Sequence, residues 1–388
     1  MASSLRFIAF RLHLFPGLFL LFIAYAIQLQ FSWWIWNART FGRLRKAVLL
    51  ISGNLAVGGL VTCAYLLSFF RVNRHFSLGW ATWLEASGLT VEMLLISTLA
   101  GVILWRSAPK FQPKRRKFMQ GAGVAAVAAP FIATGFGIAG RNRIRFNVVD
   151  VPIPNLPPDL NGLRIAQISD IHLSEFLSER ELARAIDMAN EAKPHLTLVT
   201  GDLITRTGDP LDACLHQLAR LRADAGVLGC HGNHEDYCGI KDYVTEQGRR
   251  IGIDFLRQRS RKLKFGNTTV NFAGVDYQSF GRPYLVGAEE MVEPGMMNVL
   301  LSHNPDVFPV AAEQGYDFTI AGHTHGGQVN FEILNQELNV ARCFTPYVLG
   351  LYRRGAAAAY VSSGIGTIGV PVRIGAPAEV AVLRLCAI

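Results

Sequence analysis

The chain has 388 residues, half of them apolar, with a mean hydropathy of +0.25 that is high for a water-soluble protein; that length accommodates two domain-sized units. Its formal charge of +9 is uneven, because residues 1–145 hold 17 of the 38 basic residues but only two of the 29 acids, Glu85 and Glu92. The remainder is net acidic, which excludes a nucleic-acid footprint over the whole molecule, and no nucleic-acid partner is expected.

The first part carries four long, nearly uncharged runs, at about 12–36, 47–70, 79–105 and 118–140. Each reaches the roughly 20 residues that a helix needs to cross a bilayer. Trp33, Trp34 and Trp36 close the first run, as an interfacial aromatic belt would. The fourth run is the weakest, being rich in Ala and Gly and interrupted by Pro130. A membrane domain of three to four transmembrane helices is therefore expected over 1–145. Basic residues concentrate in the loops 37–46 and 106–117, which places those loops in the cytoplasm and everything after about 141 outside it. "RRKFMQGAGVAAVAA", from Arg115, reads either as a twin-arginine export signal or as a plain basic loop. Both readings give a multi-pass protein of the inner membrane whose C-terminal part is extracytoplasmic.

A linker is expected over 146–162, where Pro152, Pro154, Pro157 and Pro158 break any helix. From 163 to 388, short β-type runs alternate with helical ones, which predicts a layered α/β domain. "LRIAQIS" reads as a strand, and "SERELARAIDMANEA" as an amphipathic helix capped by Ser178. Strands are also expected at "LTLVT", "AGVLGC", "KLKFGNTTVNFAGV", "MNVLLS", "DFTIA" and "AEVAVLRLC". The six cysteines have no CxxC and no zinc-like spacing; Cys230 and Cys238 are a candidate pair in an oxidising compartment.

The residues just past five of these strands are more informative than the strands themselves. In chain order, the strands run into Asp170-Ile171-His172, Gly201-Asp202, Gly232-Asn233-His234-Glu235, His303-Asn304-Pro305-Asp306 and Gly322-His323-Thr324-His325. Open α/β sheets place their ligand sites at such strand ends. Singly, each motif is weak, since a buried histidine is usually a satisfied core residue. Five in this order are not readily explained by packing. In Asp170-x-His172 and His323-x-His325, a near-extended backbone would direct both side chains to one side. Imidazoles, carboxylates and an amide oxygen together suit borderline divalent metals, and there are enough donors for two ions sharing a carboxylate.

The ordered set DIH, GD, GNHE, SHNPD, GHTHGGQ resembles the calcineurin-like metallophosphoesterases, and "YVLGLYRRG" with "SSGIGT" resembles their membrane-associated bacterial phosphodiesterase branch. The resemblance covers about 150–388. It implies a four-layer αββα sandwich and two divalent ions, Mn, Fe, Zn or similar. Asp170, His172 and His325 would hold one ion; Asn233, His303 and His323 the other; Asp202 would bridge them. It further implies attack by a metal-bridging hydroxide, with His234 contacting the phosphate and assisting the leaving group. Two departures narrow the subclass: "GDLITRT" lacks the GDxxDRG of phosphoprotein phosphatases, and Thr205 stands where purple acid phosphatases have tyrosine.

His231 could stand behind the ligands or simply end a strand, while His195 and His216 receive no role. Arg353 and Arg354 could contact phosphate or be solvated, and "TIGVPVRIGAP" could line a groove for an acyl or isoprenyl tail. The expected function is a membrane-anchored, metal-dependent phosphoesterase acting in line on a phosphodiester or pyrophosphate, with a lipid-linked or cell-envelope substrate as its partner. The alternatives are a UDP-diacylglucosamine-type pyrophosphatase of lipid A synthesis, with its site in the cytoplasm, and a non-catalytic metal-dependent membrane receptor.

Overall fold

The computed structural model describes residues 32–33, 36–37, 132–133, 135–279, 284–333 and 336–388. The four expected spans lie outside these residues, save for short pieces of the first and fourth. Among the described residues no helix is long and apolar enough to cross a membrane.

The unit from Gly137 to Ile388 begins with β1 (Arg145–Ile153), β2 (Arg164–Ile168), α1 (Glu179–Glu191), β3 (Leu196–Thr200), α2 (Leu211–Leu218), β4 (Val227–Cys230), α3 (Asn233–Cys238), α4 (Lys241–Arg250) and β5 (Ile253–Phe255). It continues with β6 (Arg259–Phe265), β7 (Thr268–Gly274), β8 (Met297–Leu301), α5 (Phe308–Gln314), β9 (Phe318–Ala321), β10 (Asn330–Ile333), β11 (Gln336–Asn339), β12 (Gly350–Arg354), β13 (Ala357–Val361) and β14 (Glu379–Ala387).

These strands form two six-stranded sheets, β1-β14-β2-β3-β4-β5 and β12-β13-β9-β8-β7-β6, with β10-β11 as a separate hairpin. Strand alternation explains the layering. Ile165, Leu196, Leu198 and Leu228 of the first sheet meet Phe272, Val299, Leu301 and Ile320 of the second in one buried cluster. On the outer face of the first sheet, Ala166, Ile168 and Val199 meet α1 and α2. The second sheet is covered by α5, where Ala273 and Leu300 pack on Val307 and Ala311. The result is the expected αββα order of layers. Helix α1 fits because Leu182, Ala185, Ile186 and Ala189 recur at helical spacing and are all buried. Ser178 caps it in a reciprocal capping box with Glu181.

Residues 146–162 are not a linker. Strand β1 pairs in parallel with β14 over nine residues, from Arg145 opposite Glu379 to Ile153 opposite Ala387. Pro152 is tolerated because β1 is an edge strand, whose outward amides need no partner. Burial of Val151 and Ile153 in the inter-sheet core outweighs the helix-breaking signal of the prolines.

Buried Gln167 ties the site-bearing ends together. Its amide donates to Thr200 Oγ1 at 2.8 Å on the neighbouring strand and to the Ala321 carbonyl at 2.9 Å on the opposite sheet. The C-terminal ends of β2, β3 and β9 are thereby held at one edge of the sandwich.

Candidate metal centre

Strands β2, β3 and β4 are parallel neighbours in one sheet, as are β8 and β9 in the other, so all five motifs emerge together. The backbone there is not near-extended. Asp170, His172, Asp202, His323 and His325 have φ of 48°, 47°, 56°, 76° and 52°, in the left-handed region. Side-chain convergence thus comes from tight left-handed turns rather than from strand alternation. Each such non-glycine residue costs about 1–3 kcal/mol and persists only where its surroundings enforce it. Here they do: the Asp170 amide donates to the Gly201 carbonyl at 3.1 Å, and the His172 amide to the Asp202 carbonyl at 3.0 Å. Close approach explains two of the glycines. A Cβ on Gly232 would lie 2.2 Å from Asp202 Oδ1, and one on Gly322 would lie 2.1 Å from Ser169 Oγ.

Three groups of side chains converge. Donor atoms of Asp170, His172 and His325 lie within 4.8 Å of one another, as do those of Asp202, His303 and His323, and those of His172, Asp202 and His234. Asp202 Oδ2 is 3.4 Å from His172 Nε2 and 3.0 Å from His303 Nε2. Asp170 Oδ1 is 3.4 Å from His325 Nε2 and 3.8 Å from His303 Nε2. Asp170, His172, Asp202, Asn233, His234, His303 and His325 are buried, and His323 is partly so.

The imidazoles are oriented from behind. His303 Nδ1 meets the Thr200 carbonyl at 2.7 Å, His234 Nδ1 the Thr205 carbonyl at 2.5 Å and His325 Nδ1 the Gly366 carbonyl at 3.3 Å. His172 Nδ1 meets Thr205 Oγ1 at 3.2 Å. A carbonyl accepts only, so Nδ1 carries a proton in those three rings, and in the neutral rings of His234 and His325 Nε2 presents its lone pair inward. Buried His172 Nε2, His303 Nε2 and Asn233 Oδ1 have no hydrogen-bond partner. Inward imidazole nitrogens and an amide oxygen without hydrogen-bond partners, beside two buried carboxylates, fit cations.

Burial governs the protonation of the set. It raises the Asp170 carboxyl, lowers His323 to about 3 and His234 to about 4, and takes His325 well below the usual range. Asp202 and His303 move against burial. The imidazoles of His303 and His172 hold the Asp202 carboxyl well below its ordinary value, and the two aspartates raise His303 to about 10. The neutral imidazoles of His234, His323 and His325, set beside the buried carboxylates of Asp170 and Asp202, make a site for positive charge.

Several contributors had no sequence signal beyond adjacency. The Glu235 carboxylate accepts the amides of Asp202, Leu203 and Gly232 at 2.9, 2.7 and 2.7 Å, which locks two ligand turns together. Gln328 explains the last letter of GHTHGGQ: it brackets Ile368, donating to its carbonyl at 2.8 Å and accepting its amide at 2.6 Å. Other candidates lie elsewhere. His231 stacks on Phe255 and bonds Thr245 Oγ1 at 2.8 Å, away from the ligands. His195 Nδ1 accepts the Arg164 amide. Arg354 pairs with Glu313 at 2.7 Å and Arg353 donates to the Pro152 carbonyl, so neither is placed for phosphate. No disulfide joins the five cysteines among the described residues, Cys230 and Cys238 included.

Residues 163–327 match the calcineurin-like phosphoesterase family. The chain is 27% identical to the uncharacterized metallophosphoesterase YkuE of Bacillus subtilis (strain 168), over 70% of this chain and 97% of that one. It is 30% identical to the uncharacterized protein YpbG of the same organism, over 68% of this chain and 96% of that one. It is 27% identical to a transmembrane protein with metallophosphoesterase domain of Bos taurus, over 99% of this chain and 92% of that one. The chain belongs to the calcineurin-like phosphoesterases. It is a metallophosphoesterase, an enzyme that hydrolyses phosphoric esters.

Proposed function

We propose that this enzyme is membrane-anchored and binds two divalent ions, and that it cleaves phosphodiester or pyrophosphate bonds of lipid-linked or cell-envelope substrates. The observation that carries the two-ion reading is the position of Asp202, whose Oδ2 is shared between His172 and His303. On this reading Asp170, His172 and His325 hold one ion, Asn233, His303 and His323 the other, and Asp202 spans both. Bound there, the ions would supply Lewis acidity to a phosphoryl oxygen and lower the pKa of an attacking water.

The chain's own groups complete the site. His234 has its Nδ1 proton on the Thr205 carbonyl, which leaves Nε2 free to contact the phosphate. Its imidazole touches His172 edge-on, with centroids 4.7 Å apart, so it flanks the centre. The Asp202 carboxylate takes the His234 amide at 2.9 Å, which couples its placement to the ligand set.

Membrane anchoring is supported by the apolar runs before residue 137 and by the Bos taurus relative, whose printed name is that of a transmembrane protein. The domain arrangement proposed is a membrane part there and the catalytic unit after it. The test is hydrolysis of bis(p-nitrophenyl) phosphate by the purified full chain with added Mn²⁺, together with metal analysis. Metal-dependent turnover with two ions per chain is expected, and no turnover on any phosphodiester would overturn the reading. A C-terminal alkaline phosphatase fusion should be active if the domain is extracytoplasmic; an inactive one would reverse that orientation.

A further inference from the structure

Arg373 lies in the irregular segment between β13 and β14, and only 5% of it is exposed. A buried guanidinium is ordinarily paired with a carboxylate. Among the described residues none pairs with Arg373. Its charge is instead met by five backbone carbonyls: Nη1 donates to His325 and Ala376 at 3.3 and 3.0 Å, and Nη2 to Ser363 and Gly364 at 2.8 and 3.3 Å and to Gly366. Such carbonyls repel one another unless a cation gathers them, and the planar fork of arginine suits that task.

The gathered backbone is the wall behind one half of the centre. The Gly366 carbonyl, held by Arg373, also receives His325 Nδ1. The Gly366 amide donates to the Asp170 carbonyl at 2.7 Å, and the Ile365 amide to that of Ser169 at 3.0 Å. Packing is tight enough that a Cβ on Gly364 would lie 2.5 Å from Asp170 Cβ. Arg373 donates to none of Asp202, Asn233, His303 and His323. Thr200 backs His303 and Glu235 backs the Asp202 and Gly232 turns, while the His323 amide donates to Asp170 Oδ1 and Oδ2 at 2.9 and 3.1 Å.

We propose that Arg373 is a positioning residue chiefly for the metal on the Asp170 side, fixing Asp170 and His325 directly through the 363–366 backbone. It reaches the Asn233–His303–His323 side only at second hand, through the Asp170 carboxylate that holds the His323 amide. This rests on the two-ion reading above.

The test is titration of the metal-free full chain with Zn²⁺ alone against a competing chelator dye, which reports each affinity. His325→Ala identifies which ion belongs to the Asp170 side. In Arg373→Met that ion should bind roughly 10–100-fold more weakly, with the other within about twofold, and Arg373→Lys should lie between. A purely structural residue would weaken both ions together; that result, or no change in either, overturns the inference. If Arg373→Met does not fold, Arg373→Lys decides by the same criterion. A wild type that binds one ion contradicts the two-ion reading alone. His325→Ala then shows whether that ion sits on the Asp170 side. Arg373→Lys must weaken it if it does and leave it within about twofold if it does not, and the opposite result overturns the inference as well.

Discussion

Asp202 and His303 come from different sheets, yet Asp202 Oδ2 stands 3.0 Å from His303 Nε2. The contact joins the end of β3 to the end of β8 and makes the centre a property of the sandwich rather than of either sheet. Asp202→Asn keeps the shape and removes the charge. Metal analysis should show less of both ions, and Mn²⁺-dependent kcat/KM should fall on the order of 10³-fold, since a Lewis acid is worth several kcal/mol. Full metal content in this variant would contradict the shared role of Asp202.

His234 is held by its backbone amide and its Nδ1, which leaves Nε2 for the substrate. In His234→Ala, kcat should fall by about 10²–10⁴-fold, the range for loss of general acid–base assistance. Bound metal should stay near the wild-type amount. Metal loss as large as that in Asp202→Asn would make His234 a ligand instead.

Glu235 is fully buried and answers three backbone amides. Glu235→Ala strands all three and should cost about 3–5 kcal/mol. For a unit of this size, that lowers Tm on the order of 10 °C, measurable by calorimetry. Glu235→Gln retains one acceptor oxygen and should lose distinctly less.

His231 gives the pH dependence a clear sign. Burial lowers it from 6.5 to about 4 in the folded protein, so it stays neutral there while the unfolded chain takes up a proton. Its contribution is fully present above pH 6.5 and is lost as pH falls towards 4, flattening below that. The loss reaches at most about 3 kcal/mol. Urea unfolding of His231→Gln between pH 7 and 4 should show a shallower decline than wild type; an equal slope would remove His231 as the cause.

Metal removal should act through Asp170 and Asp202, which are both buried. Chelation with EDTA should abolish hydrolysis and lower Tm, because ions that bind only the folded state stabilise it by mass action. Mn²⁺ should restore both. Unchanged activity after exhaustive chelation would contradict a metal-dependent reaction.

Much of the centre was legible because its residues sit directly after apolar runs, and local sequence carries both signals. The motifs DIH, GD, GNH, SHN and GHTH each mark a strand end, and the structure brings all five to one edge. The near-extended backbone expected for the paired side chains is absent, since left-handed turns at Asp170, His172, His323 and His325 replace it. Nothing in a single sequence distinguishes those turns, because they are held by partners in other segments. The Gly201 and Asp202 carbonyls accept from Asp170 and His172, the Gly366 amide donates to the Asp170 carbonyl, and the Asp170 carboxylate accepts the His323 amide. The prolines of 152–158 misled for a similar reason, as the partner that makes β1 a strand is more than 200 residues away.

By itself, then, the sequence determined the order of strands and helices, the donor types and their place at strand ends, since these depend on periodicity and residue chemistry over a few positions. Tertiary structure alone decided which carboxylate faces which imidazole, that Glu235 locks two turns, and that a guanidinium in an apolar-looking tail braces Asp170 and His325. Those relationships depend on two sheets meeting face to face. A buried charge finds its carbonyls only once segments far apart in the chain have been packed together.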